Sequence, residues 1–102
     1  MSNDLELEKR LWLVAEHEAA RRSFKITPSA DTFLKSFIHK GVARLISEGY
    51  AKDETRIKLA EDNLVKFIER TAMEDRKMGF KYFREPTFNV VLKFLCPIWP
   101  FC

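Results

Sequence analysis

Apolar residues recur every three or four positions along most of this chain, the signature of helices that each bury one face. The first such stretch predicts a helix from Asp4 to Arg22, with Asn3 as its cap and Glu6 placed three residues on to complete a capping box. Leu5, Trp12, Ala15 and Ala19 form its stripe, widened by Leu11 and Val14, while Glu8, Lys9, Glu16 and Arg21 point outward. Thr27-Pro28 is a strong start signal, because a threonine hydroxyl accepts an orphan N–H and proline needs no donor at the first helical position. A second helix follows, with Ala30, Phe33, Leu34, Phe37, Ile38, Gly41, Val42, Leu45 and Ile46 inward and Gly49 at its end. Gly41 lies inside that stripe, where a glycine weakens a helix by about 0.5–1 kcal/mol relative to alanine. Close approach of another backbone is the expected reason. A third helix is predicted from Leu59 to Met78, turning Leu64, Phe67, Ile68, Thr71, Ala72 and Met78 inward and closing at Gly79.

From Pro86 onward Asn89 and Lys93 share one side under either helical or strand spacing. A lone strand would lack a partner, so a short helix from Pro86 to Leu95 is expected. Cys96 precedes Pro97, which disfavours helix and predicts an extended end. The fold class is therefore all-α: a small bundle of three main helices, a short fourth helix and an extended apolar C-terminal tail. Residues 1–85 are expected to form the helical domain and 86–102 a tail packed on it or on a partner. Ile26, Asp31 and Lys35 echo Ile57, Asp62 and Lys66, which is too little to establish an internal repeat.

Composition changes this picture mainly at the C-terminal end. A chain of 102 residues that is 46% hydrophobic and 32% charged suits one soluble globular domain. Through Asp75 there are 13 Lys and Arg against 14 Asp and Glu, but from Arg76 onward there are 5 against 1. That final quarter joins a basic, aromatic run to the apolar segment FNVVLKFLCPIWPFC. The opening residues show no basic region followed by an apolar run, so a cytoplasmic, reducing setting is expected.

Thr27-Pro28-x-Ala30, the Leu34-Lys35 pair, a basic amphipathic helix running to Tyr50-Ala51-Lys52 and an Ile57-x-Leu59 step share a pattern. In these features residues 27–78 resemble the small helical domain at the C-terminus of the light-independent protochlorophyllide reductase B subunit and its stand-alone relatives. The resemblance implies a helical fold for about half the chain. It carries no active residue across, because the matching positions are core and cap.

Candidate chemistry is sparse. Cys96 and Cys102 could pair, hold a metal or serve a redox role, but zinc needs about four ligands and only His17 and His39 remain to help. Two buried apolar thiols are the plainer expectation. His17 stands between Glu16 and Glu18, but neighbouring helix residues point about 100° apart and cannot converge on one proton. No nucleophile–base pattern or phosphate loop is present, so no catalytic residue, metal or cofactor is expected. Arg76, Lys77, Lys81 and Arg84 interleave with Phe80, Tyr82 and Phe83. The order lacks the glycine and aromatic positions of an RNA-recognition motif, and nucleic acid is not expected. An anionic membrane surface would suit the same segment.

Three helices of this length can cover one face of the apolar tail, which leaves its other face to meet something else. The sequence thus predicts a noncatalytic interaction module that docks through Arg76, Lys77, Lys81, Arg84, Phe88, Leu92, Leu95, Trp99 and Phe101. A second copy of the chain is the simplest partner, making a homodimer.

Overall fold

In the computed structural model, which describes residues 3–95 and 98–101, the chain forms helices α1 (Asn3–Arg21), α2 (Pro28–Ser47), α3 (Glu54–Lys77) and α4 (Glu85–Leu95). The fold is all-α, as the periodicity predicts. Thr27 caps α2, its hydroxyl accepting the Ala30 N–H at 3.3 Å. Gly49 and Gly79 end α2 and α3 in the left-handed region that glycine enters without Cβ strain. One start is misplaced by the sequence pattern. α3 begins at Glu54, five residues before the expected Leu59, because the Asp53 carboxylate caps it by accepting the Arg56 N–H at 3.2 Å.

The helices pair as two hairpins, α1 with α2 and α3 with α4. α3 is the hub: it lies along α1 and α4 and meets α2 more briefly. At 24 residues it is about 36 Å long, close to the molecule's 41 Å longest extent. The loops that turn the two hairpins are tied together. Lys25 N–H donates to the Lys81 carbonyl, Phe83 N–H donates to the Lys25 carbonyl, both at 3.2 Å, and the Thr27 hydroxyl reaches the Phe83 carbonyl. This short parallel bridge is the sole β pairing among the described residues.

The buried face of α1 is rotated from the expected one. Leu7, Leu11, Ala15 and Ala19 are buried, whereas Leu5 is 72% exposed. Glu18 is also buried, held by Arg21 and Arg22. Burial alone would raise this carboxyl, but hydrogen bonds from the two guanidinium groups outweigh it and keep it below the ordinary glutamate value. Arg22 also pairs with Glu69, and Arg10 bridges from α1 to Glu54 and Glu61, so ion pairs join α1 to α3 at two levels. On α3 the inward stripe holds as predicted except for Met78, which is 52% exposed beyond the helix end.

The tail is not extended where it is described. Residues 98–101 turn, with the Phe101 N–H donating to the Ile98 carbonyl at 2.6 Å. That turn explains Gly41, although not as the sequence suggests. The Phe101 ring lies over it, so a methyl group at position 41 would overlap ring atoms; a side chain, not a backbone, makes the close approach.

Candidate interaction surface

The C-terminal segment divides into residues that complete the core and residues that are left outside. Phe88 is wholly buried, its ring 4.7 Å from Phe33, 5.4 Å from Phe67 and 5.6 Å from Phe83. Phe37 continues the stack, 4.5 Å from Phe67 and 4.7 Å from Phe101. Val91 and Ile98 are buried beside them, and Leu92 is half-buried against the core. Phe88 and Phe101, expected to meet a partner, therefore face the protein's own interior. The reason is aromatic area: α2 and α3 already present a row of phenylalanines with room for two more rings, and nearby burial outcompetes a distant partner.

Trp99 is also engaged. Its indole N–H donates to Glu48 Oε1 at 2.9 Å, its ring meets Tyr50 edge-on at 6.0 Å, and its carbonyl accepts from Asn63. The Arg56 guanidinium lies 4.4 Å from the Tyr50 ring centre and 5.7 Å from that of Trp99. Hydrogen bonds from Arg44 and then from Trp99 hold the Glu48 carboxyl below its usual range. The C-terminal turn is thus clasped to the α2–α3 corner.

The basic run is dispersed rather than gathered into one patch. Arg76 donates to the Arg22 carbonyl at 3.2 Å and lies over Phe24; Arg84 covers Phe80 with its guanidinium 4.6 Å from the ring centre. The Arg84 main-chain N–H donates to Asp75, as does the Thr87 hydroxyl at 2.6 Å. Asp75 is fully buried and organises the entry to α4, a role readable only as a polar residue lying within the inward stripe of α3. Lys77 pairs with Glu74 at 3.5 Å, and Lys81 is exposed. Arg76 and Arg84 thus lie against rings of their own chain, while Lys77 pairs within α3 and the Lys81 side chain is exposed. The Leu95 side chain, Cys96 and Cys102 lie outside the described residues.

What remains outside is a ridge that the predicted set omits. Phe94 is 80% exposed and Val90 47%, one helical turn apart on the outer face of α4. Beside them an open groove of about 510 Å³ runs between α3 and α4, lined by Arg70, Glu74, Lys77, Val90, Val91 and Phe94. A separate depression on α3, lined by Lys66, Glu69, Arg70 and Met73, adjoins it at Arg70; Met73 is 43% exposed. Arg70, Lys66 and Lys93 have no ion-pair or hydrogen-bond partner among the described residues, whereas Glu69 and Glu74 are already engaged by Arg22 and Lys77. The groove thus sets two exposed apolar side chains of α4, Val90 and Phe94, beside the cation Arg70, with Lys66 in the adjoining depression.

Elsewhere, Leu5, Trp12 and Ile38 line a shallower groove between α1 and α2. His17 is exposed, and His39 is exposed with its Nδ1 2.8 Å from Glu8. No three His, Asp or Glu side chains among the described residues converge in the manner of a metal site, and no described helix is long and apolar enough to cross a membrane. Comparison with protein-family models, with curated proteins and with solved structures finds no match.

Proposed function

We propose that this protein is a small noncatalytic interaction module of the cytoplasm that docks a protein partner through the outer face of α4 and the α3–α4 groove. One observation carries the reading: Phe94, a large aromatic side chain, stands 80% exposed on a helix whose inner face is sealed into the core. An exposed phenylalanine gains nothing for folding, whereas a central aromatic anchor ringed by polar groups is the usual arrangement of an interaction hot spot. Val90, one turn away on α4 and 47% exposed, enlarges the apolar contact.

A second copy of the chain has less in its favour as the partner than the sequence suggested. A stable dimer buries about 800 Å² per subunit, and most of the apolar area expected to supply it is enclosed in the core. Self-pairing through this ridge would also set Arg70, Lys77 and Lys93 of one copy near those of the other, which opposes association.

The test is selection from a random peptide library displayed on phage, using the full chain as bait. Peptides are expected to be enriched whose binding is lost in Phe94→Ala and kept in Leu5→Ala, which removes an equally exposed apolar side chain from α1. If nothing is enriched, or if the binders are indifferent to Phe94, the docking role is overturned. Deletion after Glu85 is not a usable control, since it would remove Phe88 from the core.

A further inference from the structure

We infer that the α3–α4 groove receives an acidic amphipathic helix from another protein, a proposal that rests on the docking role and specifies its ligand. The first argument concerns hydrogen bonds. Both walls of the groove are helices, whose main-chain groups bond internally along their middle turns, and the short β pairing of this chain lies in the hairpin loops. An extended peptide laid there would find no row of N–H and C=O groups to join, and its own backbone would lose water without compensation. A helix satisfies its backbone internally and presents only side chains.

The second argument is shape. Arg70, Glu74 and Lys77 succeed one another along α3 at spacings of four and three, and Val90 and Phe94 repeat at four along α4. Extended through Met73 to Lys66, the α3 wall is about 16 Å long, three turns of a partner helix. Side chains at i and i+4 of that helix would meet Phe94 and Val90, which repeat at the same spacing, and a further one at i+7 would extend the contact along the α3 wall.

The third argument is charge. Arg70 and Lys77 line the groove and Lys66 lines the depression that adjoins it on α3, while the acids among them, Glu74 and Glu69, are held by Lys77 and Arg22. Arg70, which has no ion-pair or hydrogen-bond partner among the described residues, presents a planar guanidinium suited to a carboxylate in a bidentate pairing. Glutamates flanking the apolar stripe of the incoming helix supply that charge, and a basic helix would be repelled.

The probe is a fluorescein-labelled helical peptide of about 16 residues, with leucines at i, i+4 and i+7 and glutamates on either side, compared with analogues carrying glutamine or lysine in place of glutamate. The acidic peptide is expected to bind the full chain about tenfold or more tightly than the glutamine form, with the lysine form weaker still. Phe94→Ala should abolish binding, and Arg70→Glu should weaken the acidic peptide by about tenfold while improving the lysine one. If all three peptides bind alike through Phe94, the acidic specificity is overturned and the docking role stands. If library selection yields Phe94-dependent binders while none of the three helices binds, the helical ligand is overturned alone. Phe94-dependent uptake onto anionic vesicles, or a Phe94-dependent dimer in sedimentation of the chain by itself, would replace the proposed ligand with a lipid surface or a second copy. Loss of every Phe94-dependent interaction, including library binders, overturns the docking role itself.

Discussion

Phe88 and Phe94 stand on the same 11-residue helix, one wholly buried and stacked against three other phenylalanines, the other 80% exposed beside an open groove. Side-chain chemistry is identical, so hydrophobicity alone cannot say which residue the core encloses and which it leaves exposed. The side of the helix decides. The inner face of α4 and the 98–101 turn complete an aromatic row begun by α2 and α3; the outer face borders the open groove beside α3. An apolar residue informs about partners only after the core has taken what it can enclose.

The comparison yields graded predictions. Phe88→Ala should destabilise the protein most, by about 3–5 kcal/mol, read from the midpoint of urea unfolding at unchanged slope; a loss under about 1 kcal/mol would show that the inner face is not packed as described. Gly41→Ala comes next, at about 1–3 kcal/mol, because its methyl group collides with the Phe101 ring. Combining it with Phe101→Leu should recover part of that loss, and strict additivity of the two changes would contradict the contact.

Acidification probes the clasp of the C-terminal turn more gently. The Glu48 carboxyl is lowered in the folded state from an ordinary value of 4.5, so the stability it contributes is fully present above that pH and is lost as pH falls through the lowered folded-state value. In a Trp12→Phe background, Trp99 fluorescence should change below about pH 4.5, and Glu48→Gln should remove that component. A profile unaffected by Glu48→Gln would dissociate the indole from this carboxylate. The smallest effect belongs to the outer face: Phe94→Ala should alter stability by less than about 0.5 kcal/mol while eliminating docking. A large drop in the thermal midpoint would reassign Phe94 to the fold.

The helix was legible and its buried side was not. Spacing within residues 86–95 correctly suggests a helix, and the local excess of positive charge marks the C-terminal quarter as distinct in composition. Phe88 and Leu92 share the face of α4 that the bundle covers, and Phe101 joins Phe88 in the interior from the following turn, so these members of the expected docking set pack against the core. Val90 and Phe94 are the remainder, visible in the sequence only by subtraction. The basic run was legible as charge but not as use: Arg76 and Arg84 cover aromatic rings of their own chain, which no spacing rule foretells.

By itself the sequence determined the class of fold, because the three-and-four periodicity, Thr27-Pro28 and the glycines at 49 and 79 are local signals whose physics acts within one helix. It also determined that the last quarter is both apolar and positive. Only the tertiary structure decided which face of α4 is enclosed, that Phe101 fills the space over Gly41, and that Asp75 anchors the entry to α4. Those outcomes depend on how residues far apart in the chain share a finite interior, and close packing of that interior is set by all the helices together rather than by any one segment.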